Sequence, residues 1–246
     1  MRNLYPLVFA LLCMVSSDAI GQCVGFRYRD FIFPTYDLSS NITYGVNINE
    51  QGNPDTLKLD VYEPSGDVET SRPLVILAHG GNFLGGSKTG TDVVPLAEDL
   101  VSMGYVVASI DYRVGMDNFP VPGPDSVDAT ESVMRAVHDA RASVRFFKWD
   151  YSVNGNTYGI DTSLIFFGGV SAGGFMAVQL AYLDDISEMP SYIDTTQAGL
   201  GGGVEGLSGN PGYTSKVAGV INICGALRDT AWMKPGDTPI ISFHGD

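Results

Sequence analysis

The sequence predicts one α/β domain, a mostly parallel, doubly wound β-sheet with helices on both faces. Three observations carry this prediction. Apolar, β-branched runs recur along the chain and alternate with helical segments, as in parallel sheets. Hydrophobic residues make up 44% of the 246 residues, enough for a buried core. No internal repeat or linker divides the chain, and its 30 glycines cluster where tight turns are needed.

The strands are predicted from the apolar runs. Leu57–Tyr62 alternates apolar and polar residues, as a half-exposed edge strand does. Leu74–Ala78 and Tyr105–Ile110 are continuous apolar runs, which suit parallel strands covered on both faces. Three further buried strands are predicted at Leu164–Phe167, Val217–Cys224 and Ile240–Phe243.

Three helices are predicted between these strands. Val93–Ser102 has helical spacing and stops at Gly104, a good C-terminal signal. Asp125 and Ser126 begin a long helix, and Phe175–Tyr182 forms a third. The apolar stripe of the long helix recurs at steps of four and three residues. It comprises Val133, Val137, Ala140, Val144 and Phe147.

The segment from Asp184 to Lys216 interrupts this alternation. It is rich in acidic residues and has a glycine-rich centre at Gly199–Gly203. Loops of this length inside a domain are usually functional or mobile. Because nothing spaces its acids like a known calcium loop, we expect residues 184–216 to form a solvated, flexible insertion or cap.

The charge and the motif pattern exclude several function classes. Acidic residues outnumber basic ones 28 to 14, so the formal net charge is −14 and nucleic-acid binding is not expected. No apolar stretch reaches the ~20 residues that a membrane span needs. No cysteine or histidine spacing suggests a metal site. Gly201, Gly203 and Gly206 spell G-x-G-x-x-G, but no strand precedes them, so no dinucleotide or other cofactor is predicted.

Residues 1–21 are predicted to be a secretory signal peptide. Arg2 supplies the positive start, and Leu4–Val15 is an apolar run of 12 residues. Ala19 and Gly21 give the small residues of a cleavage site before Gln22. We therefore expect a secreted or periplasmic protein whose domain runs from residue 22 to 246.

The mature chain would hold two cysteines, Cys23 and Cys224. An exported protein can oxidise such a pair to a disulfide. Cys224, however, ends an apolar run and is predicted to be a buried strand residue, whereas Cys23 lies near the terminus. Two unpaired thiols are therefore favoured over a bridge.

A G-x-S-x-G motif runs from Gly169 to Gly173, with Ser171 at its centre. A predicted strand precedes it and a predicted helix follows. A strand that turns sharply into a helix needs small residues beside the turn residue, and the turn projects that side chain out of the sheet edge. The helix N-terminus then points N–H groups towards it. Ser171 is the predicted nucleophile; the alternative is a serine in an ordinary glycine-rich turn.

A second motif, His79-Gly80-Gly81-Asn82-Phe83, directly follows the strand Leu74–Ala78. Acyl transfer generates a negative oxygen, which preorganised N–H donors stabilise. Glycines let the backbone approach a substrate with no Cβ in the way. We predict an oxyanion hole made by the N–H groups of Gly81, Asn82 and Ala172. The alternative is a plain strand-to-loop turn.

With these motifs the chain resembles the α/β-hydrolase superfamily, specifically the secreted carboxylesterases with an HGG oxyanion loop and a GxSAGG elbow, which include the acetylxylan and feruloyl esterase-like group. The resemblance covers about residues 45–246. The matching segments are LKLDVY, LVILAHGG, YVVASIDYR, YGIDTSLIFFGGVSAGG and ISFHGD. One departure is that Asn82 stands where the family has its third loop glycine.

The resemblance implies a carboxylic ester hydrolase in which Ser171 forms an acyl-enzyme that water cleaves. Its substrate would be a small-molecule or polysaccharide-linked ester. Two alternatives remain open at this point. One is a serine exopeptidase on the same fold, and the other is a catalytically silent binding module on a hydrolase scaffold.

A serine nucleophile needs a base, and the sequence has three histidines. The resemblance implies a structural role for His79, and His138 is predicted to pack within the long helix. His244 ends the last predicted strand, beside the acid loop of the family pattern, in which the acid and the catalytic histidine come later. We therefore expect a C-terminally truncated hydrolase that lacks its last strand and helix, is weakly active or inactive alone, and is poorly soluble because an apolar sheet edge is exposed.

Overall fold

A computed structural model of the chain describes residues 25–245, so the predicted signal peptide and Cys23 lie outside the described residues. The strands are β1 (Tyr36–Ile48), β2 (Pro54–Pro64), β3 (Arg72–Ala78), β4 (Val106–Ile110), β5 (Ile160–Val170), β6 (Gly219–Ile223) and β7 (Ile240–Phe243). The helices are α1 (Val94–Ser102), α2 (Ser126–Val153) and α3 (Ala172–Tyr182), with short 3-10 turns at Ile186–Glu188 and Thr230–Trp232.

The strands form one sheet in the order β1-β2-β4-β3-β5-β6-β7. Strands β3 to β7 are parallel, whereas β1 and β2 run antiparallel to their neighbours. The predicted mostly parallel sheet is therefore confirmed. Ala78, Gly169 and Asn222 lie side by side in register near the carboxyl ends of β3, β5 and β6. The loops that leave these three strands consequently start at the same edge of the sheet.

Helices cover both faces of the sheet, as predicted. Helix α1 packs on one face against a cluster that includes Val75, Leu77 and Val107. Helices α2 and α3 pack on the other face, in the larger cluster. Asp125 begins α2 as predicted, because its carboxylate accepts hydrogen bonds from the N–H groups of Val127 and Asp128. Four residues of the predicted apolar stripe of α2 are buried in the core, and the fifth, Val133, is partly buried against it.

Strand β1 was not predicted, and it makes β2 an interior strand. The prediction of a half-exposed edge strand at Leu57–Tyr62 is wrong, since β2 pairs with β1 on one side and β4 on the other. Asp60 looks like an exposed position but is buried, and it forms an ion pair with Lys88 at 3.2 Å. Most β1 side chains are exposed, so this strand has no apolar run by which to predict it.

Strand β7 lies at the opposite edge of the sheet. Its bounds match the prediction, and Ile241 is 60% and Phe243 56% exposed. The strand is therefore not buried, although its apolar run suggests burial, and it forms the exposed apolar sheet edge that the family pattern leads us to expect. Cys224 is also exposed: it lies one residue beyond β6 with φ +60°. It forms no disulfide with any residue between 25 and 245. An apolar run alone does not show whether neighbouring elements cover it.

The centre of the 184–216 segment is packed against helix α2. Arg145 donates hydrogen bonds to the carbonyl oxygens of Glu205 at 2.8 Å and Gly209 at 2.9 Å. Leu200 and Ser208 are fully buried. The prediction of a solvated cap is therefore wrong for this part. Buried charged side chains on α2 bind the backbone of the 184–216 segment. In the sequence, charged residues on a helix indicate an exposed face, so this contact is not predicted.

His138 has the packing role that was predicted for it. The ring is fully buried on α2, and its Nε2 lies 2.8 Å from the carbonyl oxygen of Gly203. A Cβ at Gly206 would overlap the ring, so glycine is required there. Burial lowers the pKa of His138 to about 4, and the ring is therefore neutral near pH 7.

Candidate active site

Ser171 occupies a sharp turn between β5 and α3. Its backbone has φ +52° and ψ −112°, a conformation that non-glycine residues rarely adopt. Two hydrogen bonds hold the turn: the Ser171 N–H donates to the carbonyl oxygen of Ile223 at 2.8 Å, and the Phe175 N–H donates to that of Ser171 at 2.9 Å. The predicted strand, turn and helix are all present, and Ser171 is partly exposed.

The glycines of the G-x-S-x-G motif are required by close packing. A Cβ at Gly173 would overlap the carbonyl oxygen of Ala78 on β3, and a Cβ at Gly169 would overlap the backbone of Gly173. Helix α3 can therefore start against the sheet only because these positions have no side chain. The turn therefore requires glycine at both positions, which explains the spacing of the motif.

The loop after β3 is a tight turn that exposes its backbone. Gly81 has φ +118°, and a Cβ there would overlap the carbonyl oxygen of Gly85. Asn82 and Phe83 also have positive φ, of 55° and 60°. Asparagine is one of the few non-glycine residues that commonly tolerate this region. The turn therefore explains how Asn82 can stand in place of a glycine.

Two side chains that the sequence did not single out hold this loop. Asp92 accepts a hydrogen bond from the Gly80 N–H at 2.7 Å. Tyr112 donates one to the His79 carbonyl oxygen at 2.9 Å, and its ring stacks on the His79 ring with centroids 4.3 Å apart. Burial lowers the pKa of His79, which favours a neutral, structural ring. An acidic residue just before helix α1 was the available signal for Asp92.

The structure brings the two motifs together. A Cβ at Gly80 would stand 3.4 Å from the Cβ of Ser171. Within residues 25–245, the N–H groups of Gly81, Asn82 and Ala172 have no hydrogen-bond acceptor. A hydroxyl group thus lies beside backbone donors that are free to bind a ligand oxygen. This is the arrangement that acyl transfer requires.

The described histidines do not complete a triad with Ser171. His79 and His138 are engaged elsewhere, and His244 contacts the Asn222 side chain, with 3.3 Å between Nε2 and Nδ2. No side chain between residues 25 and 245 hydrogen-bonds to the Ser171 hydroxyl. In the same range, no group of three or more histidines, cysteines or acidic residues is placed to hold a metal ion. The described helices are all too short or too polar to cross a bilayer.

Comparison with known proteins assigns the chain to a family. The family model BD-FAE matches residues 59–237. Carboxylesterase 3B of Mus musculus is 30% identical over 152 residues, which is 59% of this chain and 24% of that protein. The chain spans only 12% and 24% of the length of the curated relatives it matches.

Solved structures share the fold. A thermophilic esterase of Thermogutta terrifontis, Est2, solved with propionate bound, has a TM-score of 0.55 and 19% identity, and the match covers 86% of this chain and 72% of that one. A bifunctional GH43-CE protein of Bacteroides eggerthii has a TM-score of 0.52 and 25% identity over 75% of this chain and 20% of that one. Since the family model covers most of the chain, the protein belongs to the BD-FAE family of α/β-hydrolase-type esterases.

Proposed function

We propose that this protein hydrolyses carboxylic esters through an acyl-enzyme on Ser171, with a small-molecule or polysaccharide-linked ester as substrate. One observation carries the proposal: a partly exposed serine in a strained turn directly precedes Ala172 and lies against Gly80, and the N–H groups of Ala172, Gly81 and Asn82 have no acceptor among residues 25–245. Membership of an esterase family supports it. The names of carboxylesterase 3B and Est2 point the same way.

The proposed reaction follows from the positions of these groups. The Ser171 oxygen attacks the ester carbonyl carbon, and its proton passes to a general base, a role that we assign to none of residues 25–245. The carbonyl oxygen becomes negative and accepts hydrogen bonds from the N–H groups of Gly81, Asn82 and Ala172. The alcohol then leaves with a proton, and water cleaves the acyl-enzyme in a second, equivalent step.

Covalent labelling tests the nucleophile directly. A fluorophosphonate probe is expected to react with the protein as its gene encodes it, because the same base and N–H donors that activate Ser171 for esters act on phosphorus. Peptide mass spectrometry should then find one adduct, on the peptide that contains Ser171. Heat-denatured protein is the control and should not react. An adduct on another serine would overturn the assignment.

Gly81→Ala tests the proposed oxyanion hole. The new Cβ would overlap the Gly85 carbonyl oxygen, and φ +118° is unfavourable for alanine, so the loop has to shift its N–H groups. We expect kcat to fall about a hundredfold, equivalent to about 3 kcal/mol of transition-state stabilisation. Steady-state kinetics with 4-nitrophenyl acetate measures this.

The matched control is Gly66→Ala. Gly66 also has positive φ, 75°, but a Cβ there meets no atom within 4 Å. It therefore carries the conformational cost without displacing the loop, and its kcat should stay close to that of the natural protein. A fall of less than threefold in Gly81→Ala would contradict the proposed role of the loop.

A further inference from the structure

A cavity of about 250 Å³ lies between α2, α3 and the chain that follows β6. One wall is the part of α3 that follows from Phe175. The Phe175 N–H donates a hydrogen bond to the carbonyl oxygen of Ser171. The facing wall is the chain after β6, starting at Ala226. Strand β6 ends three residues earlier at Ile223, whose carbonyl oxygen accepts a hydrogen bond from the Ser171 N–H. The rest of the lining is mainly apolar and includes Val133, Met134, Leu183, Leu227 and Trp232. Both walls thus continue along the chain into residues that hold the Ser171 turn, and we therefore expect an apolar part of the substrate to bind in this cavity.

Among residues 25–245, Arg228 is the single cationic residue that lines this cavity. The other seven arginines in residues 25–245 each form an ion pair with an aspartate or a glutamate. They are Arg27, Arg29, Arg72, Arg113, Arg135, Arg141 and Arg145. Within the same residues, Arg228 has no carboxylate within ion-pair distance and is exposed. The chain has twice as many acidic as basic residues, so carboxylates are plentiful. An arginine without an ion pair beside an apolar cavity is therefore available to bind an anionic ligand.

The guanidinium of Arg228 is positioned by an aromatic contact. It lies 5.8 Å from the centroid of the Tyr192 ring. The hydroxyl of Tyr192 is 3.2 Å from that of Thr130, which also lines the cavity. The contact thus bridges two walls and places an unpaired positive charge at the cavity rim.

We propose that Arg228 recognises a carboxylate on the part of the ester substrate that enters this cavity. This inference rests on the proposed ester hydrolysis and specifies its substrate class. A guanidinium binds a carboxylate with two parallel hydrogen bonds, and the apolar cavity accommodates the carbon skeleton. The net charge of −14 repels anions, but exposed charges are largely screened beyond about 8 Å at physiological salt. Direct contact with Arg228 therefore determines whether the cavity prefers an anionic or a neutral substrate.

Matched ester pairs test the proposal and locate the carboxylate. 4-Nitrophenyl hemiglutarate and its methyl ester differ by a negative charge on the acyl group. 4-Acetoxybenzoate and its methyl ester differ by that charge on the alcohol part. In one of the two pairs, the ratio of kcat/KM for the anionic over the neutral ester should fall at least tenfold in Arg228→Gln. Arg228→Lys should recover part of that ratio, because it restores the charge without the planar fork.

Lys58→Gln is the matched control. It removes the same charge from an exposed side chain that does not line the cavity, so both ratios should stay as in the natural protein. Equal ratios in the natural protein and Arg228→Gln, for both pairs, would overturn the proposal. A parallel loss for Lys58→Gln would also overturn it, since it would indicate a general charge effect.

A binding measurement separates this proposal from the proposed reaction. NMR titration compares benzoate with benzamide, which has a similar shape without the charge. Benzoate should bind more tightly to the natural protein, and Arg228→Gln should weaken its binding at least fivefold. If this holds while no ester is hydrolysed, the anion site stands and the reaction is wrong. If benzoate binding does not depend on Arg228, the anion site is wrong even where esters are hydrolysed.

Discussion

Ser171→Ala is expected to lower kcat for short-acyl 4-nitrophenyl esters by at least about a thousandfold, since the nucleophile that forms the acyl-enzyme is lost. The N–H donors and the binding surface remain, so residual turnover above the rate in water is compatible with the mechanism. Steady-state kinetics on the protein as its gene encodes it measures the effect.

The fold is expected to withstand this substitution. The hydrogen bonds that hold the turn use the backbone of residue 171, and alanine has a Cβ in the same place. Ser163→Ala is the matched control, because Ser163 is an exposed serine on the same strand, β5. It should keep full activity, and both variants should unfold at the temperature of the natural protein. Retention of more than a few per cent of activity in Ser171→Ala would refute the nucleophile.

Asp139→Ala is expected to lower the free energy of unfolding by about 3–5 kcal/mol, because it leaves a buried charge without its partner. Asp139 is fully buried on α2 and pairs with Arg113 just after β4, with 2.8 Å between Nη2 and Oδ1. Arg113 also donates hydrogen bonds to the carbonyl oxygens of Ile48 and Gly199. One ion pair therefore joins β1, β4, α2 and the 184–216 segment.

Urea denaturation measures this effect, and two further variants interpret it. Asp30→Ala removes a carboxylate from an exposed ion pair with Arg29, and it should leave the free energy of unfolding almost unchanged. The double variant Asp139→Leu and Arg113→Met should recover part of the loss, since it removes both buried charges. A loss below about 1 kcal/mol in Asp139→Ala would mean that water or other groups satisfy Arg113.

The strands that the sequence predicts well are those whose burial is complete. Strands β3 and β4 lie between neighbours on both sides and under helices on both faces, so every position is buried and nearly every residue is apolar. Strand β1 has mostly exposed side chains and is held by its pairing with β2, which leaves no local pattern. The apolar run of β7 does not specify its exposure, because exposure depends on neighbours in space; the exposed edge is expected only from the family pattern.

The candidate site divides in the same way. The position of Ser171 is predictable because the turn imposes local steric requirements that only the glycines at fixed spacing meet. Asp92 and Tyr112 support the loop through contacts with a backbone N–H and a carbonyl oxygen, 12 and 33 residues away along the chain. Arg228 lines the cavity next to residues of α2 and α3 that are distant in sequence. Such contacts produce no periodic pattern in the sequence and can be identified only in the folded structure.

The burial of His138 makes the fold sensitive to acid. Its Nε2 is engaged with Gly203, and within residues 25–245 its Nδ1 is buried without a partner, so a second proton would have no acceptor. The folded-state pKa of about 4 lies below the ordinary value of 6.5, so the unfolded chain takes up the proton first as the pH falls. The stabilising contribution of the neutral ring is complete above pH 6.5 and declines towards pH 4. Acidification from pH 6.5 towards pH 4 therefore weakens the packing of the glycine-rich centre of the 184–216 segment against α2.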